Sequence, residues 1–272
     1  MTDFSSIIRD CFCVRSSLLK LAYSSSGGQH LGGGLSMIEI MCTLYSSFLN
    51  ITPSTVTHPD RDRFILSKGH GVLGFYPVLH YYGFLSDSIY ASYKTPGSQL
   101  ISHPIKNYDH GIESSNGSLG HGLSYASGVA HGLIKKNSKS KVYVLLGDGE
   151  CNEGSVWEAA MSSSQLCLSN LTCIVDNNKL QSDGPTSEII SDHNLAAKWS
   201  SFGWNVFSVN GHHVESLFSA FSTTTDRPKL ILSSTVKGKG VPFMEGDNAW
   251  HHGRLTDKYF QEAISTLYKV YE

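Results

Sequence analysis

Two short polar segments in the middle of the chain carry the side chains best suited to chemistry. Residues 142–146 form an apolar stretch that leads into a Gly-Asp-Gly triplet, and residues 171–175 lead in the same way into an Asp-Asn-Asn triplet. Short apolar stretches rich in β-branched residues are typical of buried strands. Because open α/β sheets bind ligands at the carboxyl ends of their strands, we expect both triplets at a ligand-binding edge.

Asp148 and Asn178, one from each triplet, supply oxygen atoms of the type that bind hard divalent cations. A carboxylate and an amide oxygen on neighbouring strand ends could hold Mg²⁺ or Ca²⁺ and leave coordination positions open for a diphosphate. The two residues lie about thirty positions apart, which suits one strand–helix–strand unit. In the alternative interpretation, both side chains simply cap the turns that follow the strands.

Length and composition indicate an ordinary globular protein with a sizeable core. The chain has 272 residues, of which 40% are hydrophobic and 16% are charged. Its formal net charge of −2 gives no electrostatic reason to expect nucleic acid binding. No apolar stretch approaches the roughly 18 residues of a membrane span, and no secretory signal is evident. None of the six cysteines forms a Cys-x-x-Cys pair, so we expect reduced, buried thiols and a cytoplasmic location.

The elements that must position the two triplets alternate regularly after residue 141. We predict strands at 64–66, 141–146, 171–176, 204–209 and 229–235 and helices at 5–25, 35–48, 72–82, 120–134, 154–168, 192–202, 214–222 and 256–271. This alternation predicts an α/β fold with a parallel sheet and helices on both faces. The glycine-rich segment 27–34 should break the helices on either side. Residues 92–118 form a long polar loop, and such loops are often functional.

Four further segments accompany the two triplets in a fixed order. They read Gly-Gln-His at 28–30, Arg-Asp-Arg-Phe-Ile-Leu-Ser-Lys-Gly-His at 61–70, Gly-Ser-Leu-Gly-His-Gly at 117–122 and Trp-His-His-Gly at 250–253. Together with the triplets they resemble the diphosphate-binding domain of the transketolases, over nearly the whole chain. The resemblance implies a thiamine-diphosphate-binding fold, a single diphosphate-binding domain over residues 1–272, and thiamine diphosphate with a divalent cation as cofactors.

The same resemblance implies roles for the residues around the two triplets. Asp148, Asn178 and the backbone carbonyl of Leu180 would bind the metal ion, which we expect to be Mg²⁺ or Ca²⁺. Gly149 would donate its backbone N–H to a phosphate, where a side chain would obstruct the approach. The expected cofactor-binding set also contains Gly147 and Glu150.

The resemblance also assigns several of the 13 histidines. His70 and His252 match histidines that contact the diphosphate, although His251 is an alternative for the second position; we favour His252 because it precedes a glycine. His30 and His103 match the histidines on the substrate side, and with His252 they make up the expected catalytic imidazoles. Imidazole suits a site that moves protons between hydroxyl and carbonyl oxygens at neutral pH.

The remaining site residues are expected near the aminopyrimidine and at the subunit interface. A carbonyl at Gly117 could accept a hydrogen bond from the aminopyrimidine, and Leu119 could brace the bent cofactor. Glu153 resembles a catalytic glutamate that links paired active sites; alternatively it only stabilises a helix N-terminus. Two positions depart from the family pattern: His121 replaces a common glutamine, and Ser182 replaces an apolar residue near the thiazolium.

Transketolases build the active site from two domains, and the pyrimidine-binding domain supplies the glutamate that activates the cofactor. The chain resembles the N-terminal subunit of a split transketolase, so we expect an α2β2 heterotetramer with a pyrimidine-domain partner subunit. With that partner it would transfer a two-carbon ketol group from a ketose to an aldose, acting on sugars or sugar phosphates. Two alternatives stay open: a specialised pathway with unusual or nucleotide-activated sugars, and a non-catalytic assembly module.

Overall fold

A five-stranded parallel sheet forms the centre of the molecule. The computed structural model describes residues 3–25, 27–191 and 193–271. Its strands are β1 (Arg63–Leu66), β2 (Val142–Gly147), β3 (Leu171–Asn177), β4 (Asn205–Asn210) and β5 (Lys229–Ser234). They follow the order β1-β2-β3-β5-β4, and every neighbouring pair is parallel. The predicted α/β class and parallel sheet are confirmed.

Within the described ranges, eleven α-helices surround the sheet. They are α1 (Ser5–Ser24), α2 (Leu31–Leu35), α3 (Ile38–Ser47), α4 (Val72–Tyr81), α5 (Asp87–Ala91), α6 (His121–Lys135), α7 (Gly154–Gln165), α8 (Thr186–Ile189), α9 (Leu195–Ser201), α10 (Val214–Ser222) and α11 (Asp257–Tyr271). The helix expected at 192–202 corresponds to α9; residue 192 lies outside the described residues. No helix in the described part of the chain is long and apolar enough to cross a membrane.

Successive residues of the strands pack into two separate hydrophobic cores. Tyr143, Leu145 and Ile174 lie in the core that contains residues of α1, α3, α4, α10 and α11. Val144 and Val175 lie in the other core, with residues of α6, α7 and α9. Because side chains alternate across a strand, each sheet face is covered by its own set of helices. The prediction of helices on both faces is therefore confirmed.

The glycine-rich segment differs from its prediction, because half of it is helical. Helix α1 ends before the glycines, as expected, but α2 includes the three glycines at 32–34. A Cβ on Gly34 would lie 3.0 Å from the Gly74 backbone nitrogen, and a Cβ on Gly74 would lie 2.5 Å from the Gly34 oxygen. The backbones of α2 and α4 thus pack directly against each other. This packing offsets the low helix propensity of glycine. The prediction considered only that propensity and therefore missed α2.

The sheet brings the two polar triplets to one edge. Strands β2 and β3 are neighbours, with Gly147 opposite Asp176, and α7 connects them. The predicted strand–helix–strand unit is therefore present. Strand β1 lies on the other side of β2 and ends at Leu66. The segments that follow β1, β2, β3 and β5 consequently leave the sheet at the same carboxyl edge.

The cysteines are all free thiols, but the expectation that they are buried is wrong for two of them. Cys13 is half-buried and Cys167 is exposed. Cys167 lies just beyond the end of α7, at φ 49°, where the chain turns toward β3. Its position in a surface turn accounts for its exposure, which an apolar sequence context does not reveal.

Candidate active site

Asp148 and Asn178 project from adjacent strand ends, as predicted. Asp148 is only 3% exposed. Its Oδ1 accepts a hydrogen bond from the Gly149 N–H at 2.8 Å, and its Oδ2 accepts from the Lys179 N–H at 2.5 Å. Asn178 Oδ1 accepts from the Leu180 N–H at 3.1 Å. Both side chains therefore cap the following turns, and their use as metal ligands stands as a proposal.

The electrostatic surroundings of Asp148 favour a positive partner. Burial raises the pKa of the Asp148 carboxyl to about 6, and the neighbouring Asp176 carboxylate adds to this effect. A raised carboxyl pKa means that the ionised form is destabilised relative to water. A cation next to Asp148 would stabilise the ionised carboxylate. The surroundings of Asp148 therefore fit a bound metal ion.

Asp176 and Lys68 form a fully buried ion pair beneath the two triplets. The Lys68 ammonium contacts Asp176 Oδ2 and donates to the Gly33 carbonyl at 2.8 Å. Ser36 donates to Asp176 at 2.6 Å, and the Thr235 hydroxyl also donates to this carboxylate. Although burial opposes ionisation, Lys68 and these hydrogen bonds hold the pKa of Asp176 below its ordinary value.

Lys237 brings a second buried ammonium to the same edge. It is 2% exposed and lies in the loop after β5. Its Nζ donates to the carbonyls of Leu180 and Gln181 at 3.2 and 3.0 Å, and to Asn248 Oδ1 at 3.1 Å. Burial, with repulsion from the Lys68 ammonium, lowers the pKa of Lys237 to about 8. Two buried ammonium groups at one edge suit a polyanionic ligand.

The donor atoms at this edge fit a divalent cation with a diphosphate. The Leu180 carbonyl, predicted to bind the metal, here accepts from the Lys237 ammonium, which stands in for a cation. Carboxylate, amide and carbonyl oxygens are ligands for Mg²⁺ or Ca²⁺ rather than for softer metals. No cluster of three or more His, Cys, Asp or Glu suited to a metal occurs among the described residues. The expected ligand set does not need one, because it contains a single carboxylate.

Glu150 forms hydrogen bonds to three of the segments at the edge. Its Oε1 contacts the Ser67 hydroxyl and accepts from the Gly120 N–H at 2.9 Å, while Oε2 accepts from the Gly147 N–H at 3.1 Å. Burial raises the pKa of Glu150. These bonds link the ends of β1 and β2 to the start of α6. The observed contacts make Glu150 a positioning residue, and its predicted contact with the cofactor stays a prediction.

A group of imidazoles lies beside the charged edge. Around His30, the ring centroids are 5.4 Å away for His70, 6.2 Å for His103, 5.4 Å for His251 and 4.7 Å for His252. The histidines expected on the substrate side and on the diphosphate side are therefore brought together. We refer to these five residues as the histidine cluster.

Four imidazoles of the histidine cluster have lowered pKa values, which favour the neutral form. Burial, followed by repulsion from His251 and His252, lowers the pKa of His30 to about 4. Burial and the Lys237 ammonium lower the pKa of His251 to about 4. Burial also lowers the pKa of His70 and of His103. A neutral imidazole has one donor and one acceptor nitrogen, so it can exchange a proton with a sugar hydroxyl or carbonyl at pH 7.

The segment 250–253 reaches the cluster through a short antiparallel bridge. The Gln29 N–H donates to the Gly253 carbonyl at 2.8 Å, and the Gly253 N–H donates back to Gln29 at 2.9 Å. His252 packs on Gly28, where a Cβ would collide with its ring. His251 Nδ1 instead lies 2.8 Å from Lys237 Nζ. His251 is thus on the charged side of the cluster and His252 on the side of the glycine-rich segment.

The long loop after α5 carries His103 and Gly117 to the site. Gly117 lies against His103, since a Cβ there would be 3.4 Å from the ring. The loop is pinned to the sheet by a buried ion pair in which the Arg61 guanidinium contacts both Glu113 oxygens, at 2.7 and 2.9 Å. A Cβ on Gly69 would collide with Asn116 at 2.6 Å, so the loop also packs closely on the end of β1.

The other predicted site residues line the rim. Leu119 is half-buried, and Glu153 is exposed at the residue before α7, without a side-chain cap on that helix. A Cβ on Gly120 would lie 2.6 Å from Glu153 Cβ, so Glu153 packs against the start of α6. His121 and Ser182, the two departures from the family pattern, are both exposed.

Three charged residues of the site were not assigned from sequence: Lys68, Asp176 and Lys237. The first two lie inside motifs that were singled out, next to residues that were assigned. Lys237 follows a predicted strand in the segment Val-Lys-Gly-Lys-Gly, so it had a signal of its own. A lysine between a strand end and a glycine at the ligand-binding edge is a candidate anion-binding residue.

Comparisons with known proteins agree with this geometry. Residues 17–267 match the family model described as transketolase, thiamine diphosphate binding domain. The chain is 40% identical to an apulose-4-phosphate transketolase subunit from Phocaeicola vulgatus over 253 residues, covering 92% of this chain and 89% of that protein. It is 38% identical to the 6-deoxy-6-sulfo-D-fructose transketolase subunit SqwG of Clostridium sp. over 246 residues, covering 89% and 90%.

Longer transketolases match over part of their length. The chain is 34% identical to human transketolase, in a match that covers 91% of this chain but 40% of that protein. The crystal structure of Campylobacter jejuni transketolase superposes with a TM-score of 0.87 at 26% identity, covering 98% of this chain and 43% of that one. The predicted fold family and enzyme class are thereby confirmed. The chain belongs to the thiamine-diphosphate-dependent transketolases, as a relative of the separate subunits of that family and of the thiamine-diphosphate-binding part of the longer enzymes.

Proposed function

We propose that the chain binds thiamine diphosphate with Mg²⁺ or Ca²⁺ and, with a partner subunit, transfers a two-carbon ketol group from a ketose to an aldose. One observation carries the proposal: Asp148, the Leu180 carbonyl and two buried ammonium groups converge at the sheet edge beside the histidine cluster. Oxygen ligands for a hard cation, positive charge for a diphosphate and imidazoles for proton transfer are thus adjacent.

In this site, Asp148, Asn178 and the Leu180 carbonyl hold the metal ion. Gly149 exchanges its N–H bond to Asp148 Oδ1 for one to the diphosphate. Gly147, the first glycine of the triplet, leaves open space where a Cβ would stand. Lys237 supplies positive charge to the diphosphate once the metal takes its place on the Leu180 carbonyl. Because these contacts involve a buried carboxylate and a buried ammonium, each has a large effect on affinity.

The bound cofactor supplies the carbon nucleophile and the electron sink for carbon–carbon cleavage. The chain positions the reacting sugar and its protons. His30 and His103 face the sugar oxygens and exchange protons with them, and His252 serves the same side. His70 and His251 lie toward the diphosphate. The position of His251 beside Lys237 favours it over His252 as the second diphosphate contact, in contrast to the preference drawn from the sequence.

The partner subunit carries the pyrimidine-binding domain, and the two chains form an α2β2 heterotetramer. Two relatives of nearly the same length are named as subunits, which supports a division into two chains. In this arrangement residues 1–272 form the single diphosphate-binding domain, Gly117 and Leu119 meet the aminopyrimidine, and Glu153 faces the paired site. The reaction takes place in the cytoplasm.

A second candidate function concerns the sugar. One relative is named for apulose 4-phosphate and another for 6-deoxy-6-sulfo-D-fructose. These names favour a specialised pathway with an uncommon anionic sugar over the common ketose phosphates. A panel of donors and acceptors, assayed with the reconstituted pair, distinguishes the two. The intact set of charged and imidazole residues argues against a non-catalytic assembly module.

Replacing the metal-binding carboxylate tests the proposal. We expect Asp148→Ala in the assembled complex to lower affinity for thiamine diphosphate by at least about a hundredfold, because a metal ligand is lost. Titration calorimetry with Mg²⁺ and thiamine diphosphate measures this, and ketol transfer is assayed in parallel. Asp183→Ala, an exposed aspartate on the neighbouring loop, is the control. Unchanged affinity and rate in Asp148→Ala would refute the proposed site.

A further inference from the structure

The loop that carries Lys237 is held on both sides of that residue by side chains that are distant in the sequence. Just before Lys237, the Val236 N–H donates to His212 Nε2 at 2.8 Å. Two residues after it, the Lys239 carbonyl accepts from Arg15 Nε at 3.0 Å. The loop follows β5, and glycines with φ of +83° and +90° at positions 238 and 240 turn it sharply. From this backbone position the side chain of Lys237 reaches the Leu180 and Gln181 carbonyls.

Both anchors lead back to one buried carboxylate, Glu39 of α3. Its Oε1 accepts from the Arg15 guanidinium at 2.6 Å, and its Oε2 lies 3.0 Å from His212 Nδ1. Burial works against the ionised form, but Arg15 and His212 hold the pKa of Glu39 at about 2. The carboxylate is therefore ionised at neutral pH and can accept from both partners.

The contacts of His212 define its tautomer. A backbone N–H can only donate, so His212 Nε2 must present a lone pair to Val236. The proton of the neutral ring then resides on Nδ1, which donates to Glu39. His212 has 12% of its side chain exposed, whereas 56% of the adjacent His213 side chain is exposed. Only the first of these neighbouring histidines connects a buried carboxylate to the lysine loop.

We propose that His212 is a positioning residue for Lys237: oriented by Glu39, it holds the Val236 N–H and so sets where the ammonium enters the site. The two ring nitrogens of His212 bond Glu39 and Val236 rather than the expected metal ligands or the histidine cluster. The effect of the ring passes through one backbone amide next to the lysine. The value of this placement for diphosphate binding rests on the proposed function, but the placement itself does not.

Two isosteric substitutions separate the two contacts of the ring. In His212→Gln, the amide oxygen replaces Nε2 and keeps an acceptor for Val236. In His212→Asn, the amide nitrogen replaces Nδ1 and keeps the donor to Glu39, but the Val236 N–H loses its acceptor. Acetylation of the full-length chain, quantified by mass spectrometry, measures how often Lys237 becomes accessible. Lys68, which is 1% exposed, reports on global opening, and His213→Asn is the matched control.

We expect His212→Asn to raise the acetylation rate of Lys237 by about tenfold, as for loss of one buried hydrogen bond, with Lys68 unchanged. His213→Asn should label like the unaltered chain, and His212→Gln, which keeps the acceptor for Val236 but loses the contact with Glu39, should label more slowly than His212→Asn. An unchanged Lys237 rate in His212→Asn overturns the proposal. Nitrogen NMR of the unaltered chain gives a second test: a proton on His212 Nε2 at pH 7 would also overturn the proposal. This test decides between the outcomes if the His212→Asn chain unfolds globally and Lys68 is labelled as well. Neither measurement involves thiamine diphosphate, so both are independent of the proposed cofactor.

Discussion

The residues of the candidate site combine charges that are unfavourable in isolation. Asp148 is buried with a raised pKa, and Lys237 is buried with a lowered pKa. Perturbed groups of opposite sign at a ligand-binding edge are typical of functional sites, because the ligand supplies the missing counter-charges. Asp176 and Lys68 are different: they neutralise each other beneath the site and form its support.

The neutral imidazoles should make stability fall in mild acid. The pKa of His30 is about 4 in the folded chain, below the ordinary value of 6.5. Between pH 6.5 and 4 the unfolded state therefore binds a proton that the folded state does not, and the free energy of unfolding decreases as the pH falls. Since His30 is only partly buried, its share is about 1 kcal/mol after allowance for solvent screening.

His30→Asn tests that effect in the chain without ligands. When the pH is lowered from 7 to 4, the free energy of unfolding of the variant should fall by about 1 kcal/mol less than that of the unaltered chain. Urea unfolding at both pH values, followed by circular dichroism, measures the difference. An identical pH dependence in the two chains would show that the His30 imidazole is not held neutral by its surroundings.

At the scale of elements, close backbone packing places the segments that carry the site. Helix α2 supplies the Gly33 carbonyl to Lys68 and the Gly32 carbonyl to the loop of Lys237. These two carbonyls are in position because the backbones of α2 and α4 pack closely at Gly34 and Gly74. A helix of five residues with three glycines has little stability of its own, so the contact with α4 determines its position.

Gly74→Ala should therefore destabilise the chain. The added methyl would lie 2.5 Å from the Gly34 carbonyl oxygen, and relieving this contact should cost about 1–3 kcal/mol. Thermal unfolding of the full chain measures the change. Gly128→Ala is the matched control, because it lies inside α6 with nothing within 4 Å of the new methyl. That variant should gain about 0.5–1 kcal/mol through helix propensity. Equal effects of the two substitutions would contradict the proposed packing.

At the scale of the whole molecule, the sequence predicted the strands, the order of the motifs and the sheet edge where they meet. Continuous apolar stretches sufficed for β1, β2, β3 and β5, because these strands are buried along most of their length. The apolar pattern failed for α2, whose helical state depends on contact with α4. Lys237 had a sequence signal of its own but received no role, because the position of its loop depends on residues distant in the chain: His212, Glu39 and Arg15.

The exposed surface around the site leads to a prediction about the partner. Ile101, Ile105, Tyr125 and Ile190 are all at least 40% exposed, and the first three lie in the long loop or at the start of α6. We expect the purified chain to show little ketol transfer until a pyrimidine-domain partner is added, because in the proposed arrangement the glutamate that activates the cofactor belongs to that partner. Full turnover by the isolated chain would contradict this prediction. The Asp148→Ala chain mixed with the partner is the control for activity that arises from the partner alone.

The bridge between Gln29 and Gly253 has a consequence for biosynthesis. It joins segments near opposite ends of the chain, and His30 meets His251 and His252 through it. A nascent chain on the ribosome therefore lacks a complete histidine cluster until residue 252 has been translated. All five strands of the sheet, the last of which ends at Ser234, are therefore synthesised before the histidine cluster can be completed.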